Sequence, residues 1–184
     1  MILAISLALS DHDLRMLINS NELFVSPING NTIQQNGIDF RLADEIGEQT
    51  PTDEAIIDTS STESVKSHYK TSKSTEGFFH ITPLTHYLLT TTEEVKMPTN
   101  LVGFCGLRST FARLGFVCPL TIVDAGFEGS LTIGVFYGGK IPLKVPVGSR
   151  FLHVVFARLI SNSDLPYDGH YKRQKGVSLP KSLL

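Results

Sequence analysis

The chain has 184 residues, with 16 Lys plus Arg against 18 Asp plus Glu and a formal charge of -2. A hydrophobic share of 41% and a mean hydropathy of +0.07 give enough apolar side chain for one domain, residues 1–184, with a real core, and exclude a disordered chain. The near balance of charge argues against a nucleic-acid or membrane partner, since both need a basic excess, but it leaves room for one local anion pocket.

Residues 1–9 (MILAISLAL) are apolar. No basic region precedes them, they are far too short to span a bilayer, and no small-residue cleavage site follows. They are expected as a buried N-terminal segment of a cytoplasmic protein. A helix comes next: Ser10 is a good N-cap, Asp11 and Asp13 complement the helix N-terminus, and Leu14, Leu17 and Ile18 form one apolar stripe. Asn19 to Asn21 should end it. Glu22 to Ser26 reads as a short strand stopped at Pro27. After the Asn29-Gly30-Asn31 turn, Ile38, Phe40 and Leu42 alternate with Gly37, Asp39 and Arg41, the pattern of a half-buried strand carrying one carboxylate.

Between residues 47 and 77, Thr, Ser, Asp and Glu dominate, and Ile56-Ile57 is the only β-like pair. This segment is expected as a solvated excursion with at most one hairpin. Strands then resume at Phe78 to Ile81, His86 to Thr91 and Leu101 to Phe104, and later at Ile141 to Val145 and Phe151 to Leu159 around the Pro146-Val147-Gly148 turn. Many short strands, frequent Gly and Pro and a single helix indicate a mostly antiparallel β-barrel or sandwich.

The stretch from Gly103 to Lys140 carries the chemistry. It offers Arg108, Ser109 and, one helical turn on, Arg113; the β-branched run Leu120 to Val123 then delivers Asp124. A Gly-rich turn (Ala125 to Gly129) leads into an alternating strand, Ser130 to Tyr137. Guanidinium and hydroxyl groups suit phosphate oxygens, and a carboxylate suits a proton or a bound water. An Arg108–Asp124 structural ion pair with Ser109 capping a turn accounts for the same spacing. Cys105 and Cys118 lie in apolar surroundings without His or Asp spacing, so they are expected to be buried and reduced, with no zinc site. The tail, residues 161–184, is polar and basic. It is either a frayed terminus or a cover for an anionic ligand.

These residues resemble the dCTP deaminase/dUTPase superfamily nearly end to end. Leu9 to Leu14 looks like the start of the deaminase branch, and Gly37-Ile38-Asp39-Phe40-Arg41-Leu42 like its first motif. Gly106 to Gly115 is similar to the phosphate-binding motif, and Val123-Asp124-Ala125-Gly126-Phe127-Glu128-Gly129 to the catalytic-aspartate motif. Pro146 to Phe151 matches a later strand motif, and Tyr171 to Gly176 the nucleotide-closing tail. Each motif alone is weak, and six in order are specific.

The resemblance implies a dUTPase-like distorted antiparallel β-barrel, jelly-roll-like, with one N-terminal helix, assembled as a homotrimer with sites between subunits. It implies a pyrimidine deoxynucleoside triphosphate as ligand. Arg108, Ser109, Thr110 and Arg113 would bind its phosphates, with Asp39 in support, and Asp124 would act on the attacking water. Tyr167, His170, Tyr171 and Gln174 would form the cover. Mg2+ would be held mainly by the substrate phosphates, with no metal site made of protein side chains.

Three departures bear on the reaction. Gly134 stands where the deaminase branch has its proton-shuttling glutamate, and Glu128 lies in the preceding turn. The connection from Gly115 to Asp124 is about two residues shorter than in deaminases, nearer the diphosphatase length. His170 replaces a lysine of the tail, with Lys172 or Arg173 at hand to compensate. The expected reaction is therefore dUTP diphosphatase, giving dUMP and pyrophosphate. The alternatives are dCTP deaminase and a regulatory trimer that binds nucleotide without turning it over.

Overall fold

The computed structural model describes residues 8–51 and 56–183. Most of the apolar segment 1–9 lies outside them. Its last residue, Leu9, is buried, and its N–H donates to the Phe156 carbonyl at 2.8 Å.

The first helix, α1 (Asp11–Asn19), starts where the cap residues place it. Ser10 Oγ accepts from the Asp13 N–H, and the Asp13 carboxylate accepts in return from the Ser10 N–H at 3.0 Å. That capping box satisfies two donors the first turn leaves free, and Leu14 and Leu17 are buried. The chain continues through β1 (Phe24–Ser26), β2 (Ile33–Gln34), β3 (Gly37–Gln49), α2 (Thr62–Ser67) and β4 (Tyr69–Lys73). Next come β5 (Phe78–Ile81), β6 (Thr85–Lys96), β7 (Leu101–Leu107), α3 (Ser109–Arg113) and β8 (Phe116–Val117). The last strands are β9 (Thr121–Val123), β10 (Glu128–Tyr137), β11 (Leu143–Pro146) and β12 (Arg150–Arg158).

The paired strands of the sheets run antiparallel. The main path is β8-β10-β6-β3-β12-β7-β9, with β1 added on β6 and both β2 and β4 on β3; β5 and β11 form a separate ribbon. Inward alternation fills the curl with Ile38, Phe40, Leu42, Tyr87, Leu89, Phe151, Leu152, Val154 and Phe156, all at most 1% exposed. The expected barrel is thus a curled half-barrel with α1 at its N-terminal end. Its path ends on the short strands β8 and β9, so a seam remains beside β10. Among the described residues no helix is long and apolar enough to cross a membrane.

Several expectations need correction. The strand beginning at Gly37 runs on to Gln49, into the segment expected to be solvated. Ile46 is buried there, and Gly47 lets the Leu88 and Val177 side chains close to 3.3 Å of where a Cβ would stand. Beyond it, Tyr69–Lys73 pairs back on Glu45–Gln49 as the expected hairpin, but α2 also forms, capped by Ser61 Oγ accepting from the Ser64 N–H. That helix buries no residue, so it has no apolar period to read. Ile56 is exposed and lies outside any strand, and Cys118 is half-buried rather than buried.

Candidate functional site

Six of the predicted site residues fall into two centres on one chain, Asp39 and Arg108 in one and Asp124, Tyr167, Tyr171 and Gln174 in the other. The first is built on Asp39, in β3, which is 2% exposed. Its carboxylate meets the Arg108 and Arg150 guanidinium groups at 3.1 Å each, and His153 Nδ1 lies 2.8 Å away. The register explains the meeting: His153 on β12 is directly opposite Asp39 on one side and Gly106 of β7 on the other. Gly37 makes the room, since a Cβ there would come within 2.6 Å of His153 Nε2. One carboxylate thus holds two permanent cations, leaving a surplus of positive charge on two side chains that are each about a third exposed. Such fixed guanidinium forks suit a phosphate or carboxylate ligand.

Arg108 therefore pairs with Asp39, not Asp124, which removes the Arg108–Asp124 ion pair as an account of the spacing. Ser109 does not cap α3 either; Arg108 occupies the N-cap position and its side chain makes no capping hydrogen bond. Ser109, Thr110 and Arg113 are exposed on α3, which follows Arg108 directly in sequence, and they are free to face a ligand.

The second centre is the seam. A cavity of about 400 Å³ is lined by Thr121 to Asp124, by Phe127, by Leu131 to Ile133 on β10, and by the tail residues Tyr167, Tyr171 and Gln174. Asp124 is exposed at the end of β9, where the Phe127 N–H donating to the Asp124 carbonyl closes the turn. Gly126, at φ +84°, is required there twice over: its conformation is left-handed, and a Cβ would come within 2.6 Å of Pro166. Cys105 also lines this cavity, and burial pushes its thiol up to about 12, which keeps it protonated.

The tail is a docked belt rather than a frayed terminus. Tyr167 N–H donates to the Ala125 carbonyl at 2.8 Å, and Gln174 exchanges two hydrogen bonds with Ser130, at 2.7 and 3.0 Å. Val177 N–H reaches the Glu45 carboxylate and Ser178 N–H the Thr132 hydroxyl, and the Leu183 N–H ends on the Thr59 carbonyl. Tyr171 accepts from Lys181, whose ammonium donates to the His170 carbonyl, while the His170 side chain is exposed. Gln174 Oε1 is buried and, among the described residues, has no partner. An orphaned acceptor in the wall of a cavity invites a donor from a ligand.

Sequence reasoning did not assign Arg150 or His153 to the site. Arg150 stood inside the strand motif that carried the resemblance, and that was the available signal. His153 had none, because its role comes only from the cross-strand register with Asp39.

The chain matches the family model described as dCTP deaminase-like over residues 8–159. It is 42% identical over 173 residues to a "Probable deoxyuridine 5'-triphosphate nucleotidohydrolase" of Sulfolobus islandicus rod-shaped virus 1, covering 94% of this chain and 98% of the relative. A dCTP deaminase of Acidianus ambivalens is 44% identical over 173 residues, covering 94% and 96%. Among solved structures, the 2'-deoxycytidine 5'-triphosphate deaminase of Agrobacterium tumefaciens superposes with a TM-score of 0.66 at 16% identity. That superposition covers 84% of this chain, which spans about half (49%) of the other, and it shows the shared fold. These matches place the chain in the dCTP deaminase-like family of the dCTP deaminase/dUTPase superfamily, as an enzyme.

Proposed function

We propose that the protein acts on a pyrimidine deoxynucleoside triphosphate and that its reaction is deamination of dCTP to dUTP and ammonia. Sequence alone put hydrolysis of dUTP first. The similar cellular proteins carry the deaminase name, and their weight moves deamination ahead. The observation that carries the ligand class is the pairing of a cationic centre with a seam cavity. Arg108 and Arg150 supply forks for phosphate oxygens, while Asp124, two tyrosines and the orphaned Gln174 Oε1 suit a sugar hydroxyl and a base edge.

The assembly belongs to the same proposal. In a homotrimer the guanidinium centre of one subunit would complete the seam cavity of the next. Phe104, Val117, Leu120 and Ile122, all large apolar side chains left exposed, support self-association on that flank. Magnesium would enter with the nucleotide. Among the described residues no group of three or more His, Cys, Asp or Glu is placed to cage an ion, and the exposed Asp124 carboxylate fits an ion already chelated by the triphosphate. When bound, the ion would lower the phosphate charge. The chain's own part is to hold the phosphates through Arg108, Ser109, Thr110 and Arg113 and to fix the nucleotide under Tyr167, Tyr171 and Gln174.

A second reading, hydrolysis of dUTP to dUMP and pyrophosphate, is favoured by one observation. Position 134 on β10 is a glycine and supplies no acid or base. Assaying ammonia and pyrophosphate separately, with dCTP and dUTP as alternative substrates and magnesium present, tests both readings. Ammonia from dCTP is expected. Pyrophosphate from dUTP without ammonia from dCTP moves the assignment to the second reading, and binding without turnover moves it to a regulatory trimer.

A further inference from the structure

Gly134 is bare, but the space in front of it is not. A Cβ built there would stand 3.2 Å from His86 Nε2 and 3.3 Å from its Cε1. The two residues meet diagonally across the β10–β6 pair, where Gly134 faces Leu88 and Phe136 faces His86. Strand alternation puts Thr132, Gly134 and Phe136 on one face of β10, and His86 and Leu88 on the same face of β6. Leu88 and Thr132 line the seam cavity, whereas His86 and Phe136 line a second cavity of about 460 Å³. Gly134 thus lies between the residues that line the two, and the imidazole leans over it.

The imidazole is also oriented. Its Nδ1 is 3.2 Å from the Tyr69 hydroxyl on β4, and the rings sit edge to face. In the tautomer whose Nδ1–H donates to the Tyr69 oxygen, Nε2 presents its lone pair over Gly134. Burial pushes the His86 imidazole below its ordinary value and holds the Tyr69 phenol protonated, so the pair is neutral at neutral pH. The other titratable group lining this cavity is His68, buried, with Nδ1 lacking a partner among the described residues.

We propose that His86, oriented by Tyr69 and admitted by Gly134, is the residue that carries the proton at the pyrimidine ring. This rests on the deaminase reading. As the water oxygen bonds to C4, Nε2 takes a water proton and passes it to N3. It then takes the proton of the new C4 hydroxyl and gives it to the amino nitrogen. The C4–N bond breaks, ammonia leaves, the carbonyl forms, and the imidazole is neutral again. A base whose resting state is unprotonated near neutral pH suits both transfers.

The test compares wild type, His86→Phe and His86→Gly, with ammonia release from dCTP as the readout and nucleotide binding and thermal unfolding as controls. Both variants should bind dCTP, keep KM within a few-fold, and lose kcat by about 10²-fold or more. Free imidazole should restore rate to His86→Gly, which leaves open space beside Gly134, and not to His86→Phe, where the ring fills it. A structural role alone would not give that rescue. Wild-type kcat in His86→Phe overturns the proposal, as does a folded, dCTP-binding His86→Gly that imidazole does not rescue. Should His86→Gly fail to fold, His86→Phe decides alone. Absence of ammonia from the wild type sinks the deaminase reading itself, which separates that failure from failure of the His86 role.

Discussion

At the residue scale, carboxylates divide the work by burial. Asp39 is enclosed and fully engaged with cations, so it positions Arg108 and Arg150 instead of reacting. Asp124 is exposed at the cavity mouth with no ion pair among those of the described residues, which leaves its oxygens for water or a sugar hydroxyl. Asp124→Asn keeps the shape and removes the charge; turnover should fall by about 10²-fold or more while nucleotide binding partly survives. Steady-state rates beside a binding isotherm check this, and wild-type turnover would strip Asp124 of its role. Glu93 is a third case. It is fully buried and holds Arg41 twice, through Nε at 2.6 Å and through the backbone N–H at 2.7 Å. Removing one member of such a pair strands the other, so Glu93→Ala should cost roughly 3–5 kcal/mol in denaturant unfolding. Nothing in the sequence marked Glu93, because an acid beside Glu94 in a Thr-rich strand looks solvated until the fold encloses it.

At the element scale, the sequence revealed what has a period or a cap. Ser10 and Asp13 marked the start of α1, and alternating Leu131, Ile133 and Val135 marked β10. The elements it hid are those stabilised from elsewhere. The far half of β3 is a strand because β4 and β6 flank it, and α2 lies on the surface without an apolar stripe. The tail was the least legible, since its order comes from hydrogen bonds to β10, β3 and the segment before α2. Tyr167 and Tyr171 also pack against the core. Deleting everything after Leu165 should therefore lower the unfolding temperature as well as reduce turnover by more than about tenfold. Calorimetry and rate measurement on the truncated protein check both halves. Unchanged turnover would make the belt purely structural.

At the scale of the whole molecule, the half-barrel presents a cationic centre and a seam cavity as separate features of one chain. The spacing left an Arg108–Asp124 ion pair open as one account. The fold instead sends Arg108 to β3 and β12, and Asp124 to the seam beside β10 and the tail. Sixteen residues of sequence separation say nothing about which sheet edge each end reaches; strand pairing decides that. If the two centres meet between copies, as proposed, catalysis depends on assembly, and activity per chain should fall on dilution below the association range. The most direct test of the central claim is the product formed by wild-type protein from dCTP with magnesium. Ammonia and dUTP in equal amounts are the expected result. No ammonia from dCTP, with pyrophosphate released from dUTP by the same preparation, would contradict it.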